Sequence, residues 1–434
     1  MLKTTNMLAF GNPMLDVSHD MSLDEIRSHG LLPDTDACAL NQEAKRGILA
    51  SVLTSDDARV SAGGSALNTM RAAKWVLTCS VNICAAAAAA ATTAADDATA
   101  AAAAAATAAT AATTQHHHCS VLGAVGTDAA ADILVAACAD AGVEPLFLRV
   151  PGEPTGVCAV LVSGALRTLV GVKGAHKHYA AAPLVEPLVE AARRGNDDYD
   201  RTSTAVRVDG KSPRAPQSIP LLPRRTREAE RLATASILLV TCYTLTNECR
   251  TEAAAAMADE ARHGTLRGPS APRPDLAVCL SSATLMADDD VVSRLVRHLL
   301  PAATFVFCNR AEAEALFGHV RAGTIQTGEE RGGGSGGDGD GDGDGEEEVE
   351  DEGRIEDDAV QLKKILVGIL GLMVGGGGGN GGGGDGGGGG RRRGRGARRH
   401  VIMTNGTTTY LWRCSNCVLL VMFLLCVVLC VFLI

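Results

Sequence analysis

Met7-Leu8-Ala9-Phe10-Gly11-Asn12-Pro13 is the stretch of sequence on which the fold prediction rests. Its four apolar residues stop at three residue types that favour turns, so residues 7–10 are predicted to form a short buried strand. Behind the small-residue turn Gly63-Gly64-Ser65, side chains recur at helical spacing, which predicts a helix over Asn68–Leu77. A strand, a glycine-rich turn and a helix can cradle a phosphate or a ribose, although plain packing also produces this pattern.

The same order of strand and helix repeats along the rest of the chain. Predicted strands precede predicted helices in four further places: Ser120–Asp128, a strand that turns through two glycines, before Ile133–Ala141, Ile237–Thr241 before Asn247–Ala261, Leu276–Leu280 before Val291–Leu300, and Thr304–Phe307 before Ala311–Phe317. This alternation predicts a mostly parallel sheet with helices on both faces. Alternating apolar residues in Gly156–Ser163 and Arg167–Val172 predict an antiparallel hairpin around Gly164, beside that sheet.

Five stretches of the chain have compositions that do not suit a buried core. They are the Ala/Thr-rich insert 85–118, the polar insert 195–228, the Gly/acidic linker 325–358, the Gly/Arg-rich linker 375–400 and the apolar tail 417–434. Roughly 290 of the 434 residues lie outside them, enough for one large α/β domain but not for two ordinary enzymes. Because Ala100–Ala106 has no apolar stripe, we expect an exposed helix or disorder there, and flexible coil in the glycine-rich runs.

The net charge and the distribution of cysteines limit which partners and which cellular compartment suit this chain. The chain carries 40 Lys and Arg against 50 Asp and Glu, a net charge of −10, which argues against nucleic acid as a partner. The 14 cysteines are scattered singly, as at Cys79, Cys138, Cys242, Cys279 and Cys308, and look like small buried hydrophobes rather than a disulfide framework. We therefore expect a cytoplasmic location, and the N-terminus lacks the pattern of a secretory signal.

Three short motifs suggest metal binding, but each has a simpler interpretation. Asp338–Asp342 imitates the start of a calcium loop, yet Val349 stands where the bidentate Glu belongs, so an acidic linker is expected. His116-His117-His118 ends a low-complexity run with no carboxylate nearby, which favours a loop. Cys414 and Cys417 form a single C-x-x-C without a second pair, a weak zinc signal.

The apolar tail Cys417–Ile434 decides whether a membrane is a partner. It has 18 residues without a charge, which is at the lower edge of the length that spans a bilayer. A membrane-anchored location is the alternative to the cytoplasmic one, and it holds only if this tail is a genuine part of the protein.

Five sets of residues together resemble adenosine kinases, within the ribokinase-like (PfkB) family of carbohydrate and nucleoside kinases. In chain order they are Gly11–Asp16, Gly63–Asn68 with Ala73-Lys74-Trp75, Gly123–Asp128, Pro154–Cys158 with Arg167-Thr168-Leu169, and Asn309–Glu312. The resemblance implies a three-layer α/β sandwich with a mostly parallel sheet and a small β-lid, here interrupted by low-complexity inserts. The kinase domain is then expected over 1–84 and 119–324, with lid elements near 12–40 and 155–172, a further helix at 359–374 and an ATP-side strand and turn at 401–413.

The resemblance also assigns residues to the nucleoside. A carboxylate such as Asp16 can bind two vicinal ribose hydroxyls, while glycine lets backbone groups approach the sugar closely. The substrate-binding residues that the resemblance implies are Asn12, Met14, Asp16, Gly63, Gly64, Ser65, Asn68 and Cys158. Met14 and Cys158 fit a buried core position equally well.

The phosphate side of the reaction is represented less completely. Arg167 resembles the arginine that reaches the transferred phosphate, Asn309 and Glu312 resemble an Asn-x-x-Glu element that acts indirectly around Mg²⁺, and Thr404 and Gly406 resemble a turn that contacts ATP. Arg310 stands where adenosine kinases usually have an acidic residue. The family's Asp-Thr-x-Gly-Ala-Gly-Asp segment, whose last Asp is the general base, is not found in the 434 residues.

The expected activity is that of an adenosine kinase-like enzyme. ATP and adenosine would give ADP and AMP with Mg²⁺, a step of purine salvage, carried out by a monomer. The alternative is a catalytically inactive relative that binds nucleosides, tethered to a membrane if the apolar tail inserts.

Overall fold

The computed structural model describes residues 5–35, 40–93, 117–186, 226–267, 271–321, 369, 373, 399–405 and 408–413. These residues divide into two units, the first ending at Asp275 and the second beginning at Leu276. In the first unit the strands are β1 (Asn6–Phe10), β2 (Met14–Asp20), β3 (Arg59–Gly63), β4 (His118–Val125), β5 (Val143–Arg149), β6 (Gly156–Ser163), β7 (Leu166–Val172) and β8 (Ile237–Thr241). Its helices are α1 (Leu23–Ser28), α2 (Gln42–Leu53), α3 (Ser65–Thr93), α4 (Ala129–Asp140), α5 (Arg227–Thr234) and α6 (Glu248–His263), with 3-10 turns at Ala175–His178 and Cys242–Thr246.

Four strands of the first unit form a parallel sheet in the order β8-β1-β4-β5. Residues 7–10 of β1 and all five residues of β8 are buried, and this burial on both faces is typical of a parallel sheet covered by helices. Because β1 and β8 run in the same direction, their carboxyl ends, at Phe10 and Thr241, lie side by side at one edge of the sheet. Ligands of open α/β sheets bind at this edge.

A smaller sheet in the order β3-β2-β6-β7 also belongs to the first unit, and we call it the lid. Its β2 and β6 are parallel, while β3 and β7 pair antiparallel at the two outer edges. One face of the lid is apolar and packs on α1 and α2 through a core that includes Val17, Ile48, Val52 and Leu161. The residues that alternate with this apolar set are therefore turned to the opposite face.

The second unit contains β9 (Asp275–Cys279) from its second residue on, β10 (Phe305–Asn309), β11 (His400–Asn405) and β12 (Thr408–Arg413). Its strand order is β9-β10-β11-β12, with β12 antiparallel to β11 and the other pairs parallel. The helices are α7 (Ala283–Met286), α8 (Asp289–Arg294) and α9 (Arg310–Arg321), and a π turn (Leu295–Leu299) and a 3-10 turn (Leu300–Ala302) follow α8. Ile369 and Met373, one helical turn apart, are both helical and fully buried, and a helix over the whole of 359–374 stays a prediction.

The predicted fold class is confirmed: helices accompany mostly parallel strands, and a smaller sheet contains the predicted hairpin of β6 and β7 around Gly164. One local prediction is wrong. His118 begins β4 instead of lying in a loop, and Lys74 Nζ donates to the carbonyl of His117 at 2.8 Å, which ties that residue to α3. The segment predicted as a helix over Val291–Leu300 is helical throughout, as α8, the π turn and the 3-10 turn in succession.

Several other predictions concern segments that lie partly or wholly outside the described residues. The helix behind Gly63-Gly64 runs to Thr93, so the Ala/Thr-rich insert begins as a continuation of α3, and its residues 94–116 lie outside the described range. The same holds for the polar insert 195–228 up to residue 225, for the acidic linker and for the apolar tail. Among the described cysteines, all free, Cys138, Cys242 and Cys308 are buried, while Cys79 and Cys279 are partly exposed. In the described part of the chain, no helix has the length and apolar character to cross a membrane.

Candidate functional site

The turn between β1 and β2 is where the glycine-rich motifs of the first unit meet. Gly64 has a φ of +95°, and a Cβ there would collide with the carbonyl oxygen of Asn12. A Cβ at Gly123 would likewise collide with the Pro13 ring. These glycines therefore let β4 and the start of α3 approach the Asn12-Pro13 turn more closely than any other residue would allow.

Asp16 lies in the lid with its carboxylate against the backbone of Gly63, where a Cβ would collide with both carboxylate oxygens. Burial raises the pKa of Asp16 to about 6. Within the described residues, no side chain forms an ion pair or a hydrogen bond with it. A carboxylate that is held beside a glycine and has no protein partner is available to hydroxyl donors of a ligand.

Neighbouring positions on the lid carry further predicted site residues. Asp16 is the register partner of Cys158 on β6, and Met14 is the partner of Gly63 on β3 and of Gly156 on β6. Register partners project to the same face of a sheet, so these side chains share the face opposite the apolar core. Cys158 is buried and Met14 is half-buried.

The first turn of α3 contributes Ser65 and Asn68. The helix begins at Ser65, immediately after Gly64, and the backbone N–H of Asn68 donates to the Gly64 carbonyl at 3.0 Å. Both residues are half-buried. The structure thus brings together Asn12, Met14, Asp16, Gly63, Gly64, Ser65, Asn68 and Cys158 around the two chain segments 12–16 and 63–68.

Arg167 lies apart from this group. It is exposed at the start of β7, next to the hairpin turn, and its partner in β6 is Val162. Four register steps separate Val162 from Cys158, which corresponds to roughly 13 Å along the lid.

The second unit brings Asn309, Glu312 and Thr404 together. Asn309 ends β10 and is the register partner of Thr404, the last residue but one of β11. Its amide oxygen accepts from the N–H of Glu312 at 2.8 Å, and both carboxylate oxygens of Glu312 accept from Asn309, from its backbone N–H at 2.9 Å and from its Nδ2 at 3.1 Å. This reciprocal capping fixes the start of α9. Gly406, the other residue predicted to contact ATP, lies outside the described residues.

Burial dominates the electrostatics of Glu312. It raises the pKa of the carboxyl to about 7, against the lowering effect of the Asn309 backbone hydrogen bond. Arg310, two residues before Glu312, donates from Nε to the Glu314 carboxylate at 2.7 Å.

Residues 93–194 match the model of the pfkB family carbohydrate kinases. Among solved structures, adenosine kinase from Anopheles gambiae, in complex with P1,P4-di(adenosine-5) tetraphosphate, has a TM-score of 0.54 at 18% identity, with 96% of this chain and 82% of that chain covered. The chain has the ribokinase-like fold of adenosine kinases.

Two further structures support the ribokinase-like fold. Adenosine kinase from Schistosoma mansoni, in complex with adenosine and AMP, has a TM-score of 0.56 at 16% identity and covers 96% of this chain and 81% of its own. Adenosine kinase from Trypanosoma brucei brucei, without ligand, has a TM-score of 0.52 at 16% identity, with 95% and 82% covered. The family match and the fold together support a carbohydrate or nucleoside kinase.

Ribokinase-like kinases imply ATP and Mg²⁺, and the residues of the second unit fit an indirect metal role. Mg²⁺ prefers oxygen ligands, keeps several waters and is held largely by phosphates, so it does not require a cage of protein ligands. Among the described residues, no three His, Cys, Asp or Glu side chains are placed to hold a metal. Because Glu312 is only 5% exposed and both its oxygens accept from Asn309, it fits a carboxylate that acts on the ion through water.

The Gly123–Asp128 and Pro154–Cys158 motifs join the sheet to the lid of the ribokinase-like fold. Asp128 caps α4 and accepts from the backbone N–H of Thr155 at 2.7 Å and from its Oγ1 at 2.5 Å. Burial alone would raise the pKa of Asp128, but these hydrogen bonds together outweigh it and lower the pKa. The Thr155 hydroxyl oxygen also accepts from the N–H of Gly126 at 3.0 Å. These motif residues therefore anchor the start of β6.

Two buried residues beside the Asn12 turn were not predicted. Arg250, on α6, donates from Nη1 to Asn12 Oδ1 at 2.7 Å, and His176 lies against Gly156 of the lid. Burial lowers the pKa of His176 to about 3, so its ring is neutral at physiological pH. The sequence around Arg250, Asn247-Glu248-Cys249-Arg250-Thr251, reads as a polar helix start and carries no signal that this side chain turns inward.

Proposed function

We propose that this chain is an adenosine kinase-like phosphotransferase. It transfers a phosphoryl group from ATP to adenosine, and the products are ADP and AMP. The observation that carries the proposal is Asp16, a half-buried carboxylate that has no ion pair or hydrogen bond among the described residues and lies against the glycine backbone at the Gly63-Gly64 turn. Two vicinal hydroxyls of a ribose are the donors that suit such a carboxylate.

The roles of the other residues follow from their chemistry. Asn12 and Asn68 carry amide groups in the segments 12–16 and 63–68 and can hydrogen-bond the same nucleoside, while Met14 and Cys158 offer an apolar surface to a base. In the second unit Asn309 and Thr404 offer polar groups at adjacent strand ends, suited to the phosphates of ATP. When bound, Mg²⁺ would neutralise charge on those phosphates.

Arg167 is proposed as the residue that contacts the transferred phosphate. It is exposed at the hairpin end of the lid, where a phosphate can reach it from solvent, and a guanidinium can donate two hydrogen bonds to a phosphate. Arg167→Ala is expected to lower the rate of phosphoryl transfer and to leave adenosine affinity unchanged.

Binding and turnover are tested separately. Isothermal titration calorimetry with adenosine, guanosine, uridine and ribose measures which ligand the site takes, and ADP release in the presence of ATP and Mg²⁺ measures transfer. Binding of adenosine at least tenfold tighter than of ribose supports a nucleoside site. Tighter binding of ribose would instead assign the chain to the carbohydrate kinases.

A second candidate is a nucleoside-binding relative that does not turn over. It is favoured by the missing Gly-Ala-Gly-Asp sequence, which would supply the general base and the anion-binding amides. Adenosine binding without ADP release would establish this candidate.

We further propose that the protein acts in purine salvage as a cytoplasmic monomer. Free cysteines in the described residues support a reducing compartment. Cell fractionation and light scattering test these two statements, and recovery of the protein in the membrane fraction would favour the apolar tail as an anchor.

A further inference from the structure

Arg250 is a buried cation beside the Asn12 turn. Only 3% of the residue is exposed, yet none of the described carboxylates forms an ion pair with it. Its Nη1 donates to Asn12 Oδ1 at 2.7 Å and its Nη2 donates to Thr246 Oγ1 at 2.7 Å. A buried charge held only by neutral acceptors is costly, so its contribution to packing alone does not explain this arrangement.

The contact with Arg250 determines how the amide of Asn12 is oriented. A guanidinium has five N–H donors and no acceptor, so only the amide oxygen of Asn12 can face it. The Nδ2 group of Asn12 is consequently turned away from Arg250. Asn12 then offers donors, and not an acceptor, to whatever binds on its other side.

The surroundings of this pair are polar and buried. Arg250 Nε and His176 Nδ1 have no hydrogen-bond partner among the described residues, and His176 is only 5% exposed. A Cβ at Gly156 would lie 2.5 Å from His176 Nδ1 and 3.4 Å from Met14 Cγ, so His176 borders the lid face that carries Met14. Arg250 and His176 thus flank the segment that leads from Asn12 to Asp16.

We propose that Arg250 is a positioning residue, which fixes the Asn12 amide with its N–H donors toward the nucleoside and thereby selects ligands that carry an acceptor at that point. This inference rests on the proposed nucleoside site. A purely structural Arg250 would stabilise α6 and would have no effect on which atoms of the ligand are recognised.

A double-mutant cycle measures the coupling between the two residues. The dissociation constant for adenosine is determined by calorimetry for the unaltered protein, Arg250→Met, Asn12→Ala and the double variant. Each single substitution is expected to weaken binding about tenfold, the effect of one oriented hydrogen bond. The double variant is expected to be no weaker than Asn12→Ala, because Arg250 acts through Asn12.

Adenosine analogues identify the acceptor atom of the ligand to which the Asn12 amide donates a hydrogen bond. The panel is 3-deazaadenosine, 7-deazaadenosine, 2′-deoxyadenosine and 3′-deoxyadenosine, each of which lacks one candidate acceptor. For one of them, the unaltered protein and Arg250→Met should bind with equal affinity, since the atom that Asn12 would contact is gone. A structural role predicts the same penalty for every analogue.

Two further variants keep the test decisive. Met257→Ala removes a fully buried side chain from the same helix and should lower the melting temperature without changing adenosine affinity. Arg250→Lys keeps a donor and a positive charge, folds if Arg250→Met does not, and should bind adenosine more tightly than Arg250→Met.

The outcomes separate this inference from the proposed function. If the unaltered protein binds adenosine and Arg250→Met and Arg250→Lys bind it equally well, the positioning role is wrong and the nucleoside site stands. Penalties that add in the double variant lead to the same conclusion. If the unaltered protein binds no nucleoside, the proposed function fails, and the positioning role fails with it.

Discussion

The ionised carboxylate of Asp16 has opposite effects on ligand binding and on the stability of the fold. Its burial raises its pKa to about 6, so the ionised form that can bind ribose hydroxyls is also the form that the folded protein accommodates least well. Because the folded pKa lies above the ordinary value of 3.8, the folded state binds more protons than the unfolded state between about pH 4 and 6. The free energy of unfolding that Asp16 contributes therefore falls as the pH rises through this range.

Asp16→Asn separates binding from stability. The amide keeps the shape of the carboxylate but lacks its charge, so adenosine affinity should fall about 30- to 150-fold, the loss of about 2 to 3 kcal/mol of charge-assisted hydrogen bonds. At pH 8 the melting temperature should rise by a few degrees, and at pH 4 it should not change. Calorimetry and thermal unfolding measure both. Unaltered adenosine affinity would remove Asp16 from the site.

The pH dependence of adenosine binding follows from the same group. If only the ionised Asp16 binds, lowering the pH from 7 to 5 should weaken adenosine binding about tenfold, with the steepest change near pH 6. Asp16→Asn should show a flat profile over this range and serves as the matched control. A flat profile for the unaltered protein would mean that the nucleoside does not depend on this carboxylate.

At the scale of elements, the link between sheet and lid depends on Thr155. Its backbone N–H and hydroxyl both bond Asp128, and the hydroxyl also accepts from Gly126. Thr155→Val keeps the shape of the side chain but removes the hydroxyl, leaving buried polar groups without partners, which should cost about 1 to 3 kcal/mol.

Thermal unfolding measures this cost. For a domain of this size we expect the melting temperature of Thr155→Val to decrease by about 2 to 10 °C. Thr155→Ser retains the hydroxyl and is the control, with a smaller decrease. Equal melting temperatures for the Val and Ser variants would show that the hydroxyl does not hold the lid.

Elements with strong local patterns were predictable, and those defined by tertiary contacts were not. β1, β8 and the hairpin of β6 and β7 have apolar runs or alternation bounded by turn residues, and each lies where it was expected. β3 was not predicted because its residues 59–61 are exposed, so it has no apolar pattern, and only pairing with β2 makes it a strand. His118 was assigned to a loop from its composition, but parallel pairing with Asn6 extends β4 to include it.

The candidate site shows the same division at the scale of the whole molecule. The turn formers at Gly63, Gly64 and the Asn12 turn are visible in the sequence, because these turns need backbone geometry that only certain residue types allow. Arg250 lies 238 residues from Asn12 in sequence, and their contact arises only from folding. No periodicity or spacing in the chain encodes such a pair.

Activity of the 434-residue chain is the prediction that tests the whole molecule. The residues proposed to bind adenosine are present, but the Gly-Ala-Gly-Asp sequence that would supply a general base and anion-binding amides is not found. These groups typically contribute about 10²- to 10⁴-fold and 10²- to 10³-fold to the rate. We therefore expect adenosine binding by calorimetry, with ADP release at least about 10⁴-fold slower than in an adenosine kinase that has this segment. The control is the same chain with that segment introduced after Gly406, which should restore turnover and leave adenosine affinity unchanged. Rapid ADP release from the unaltered chain would mean that a different carboxylate removes the proton from the 5′-hydroxyl, and Glu312, whose pKa is raised to about 7, would then be the first residue to substitute.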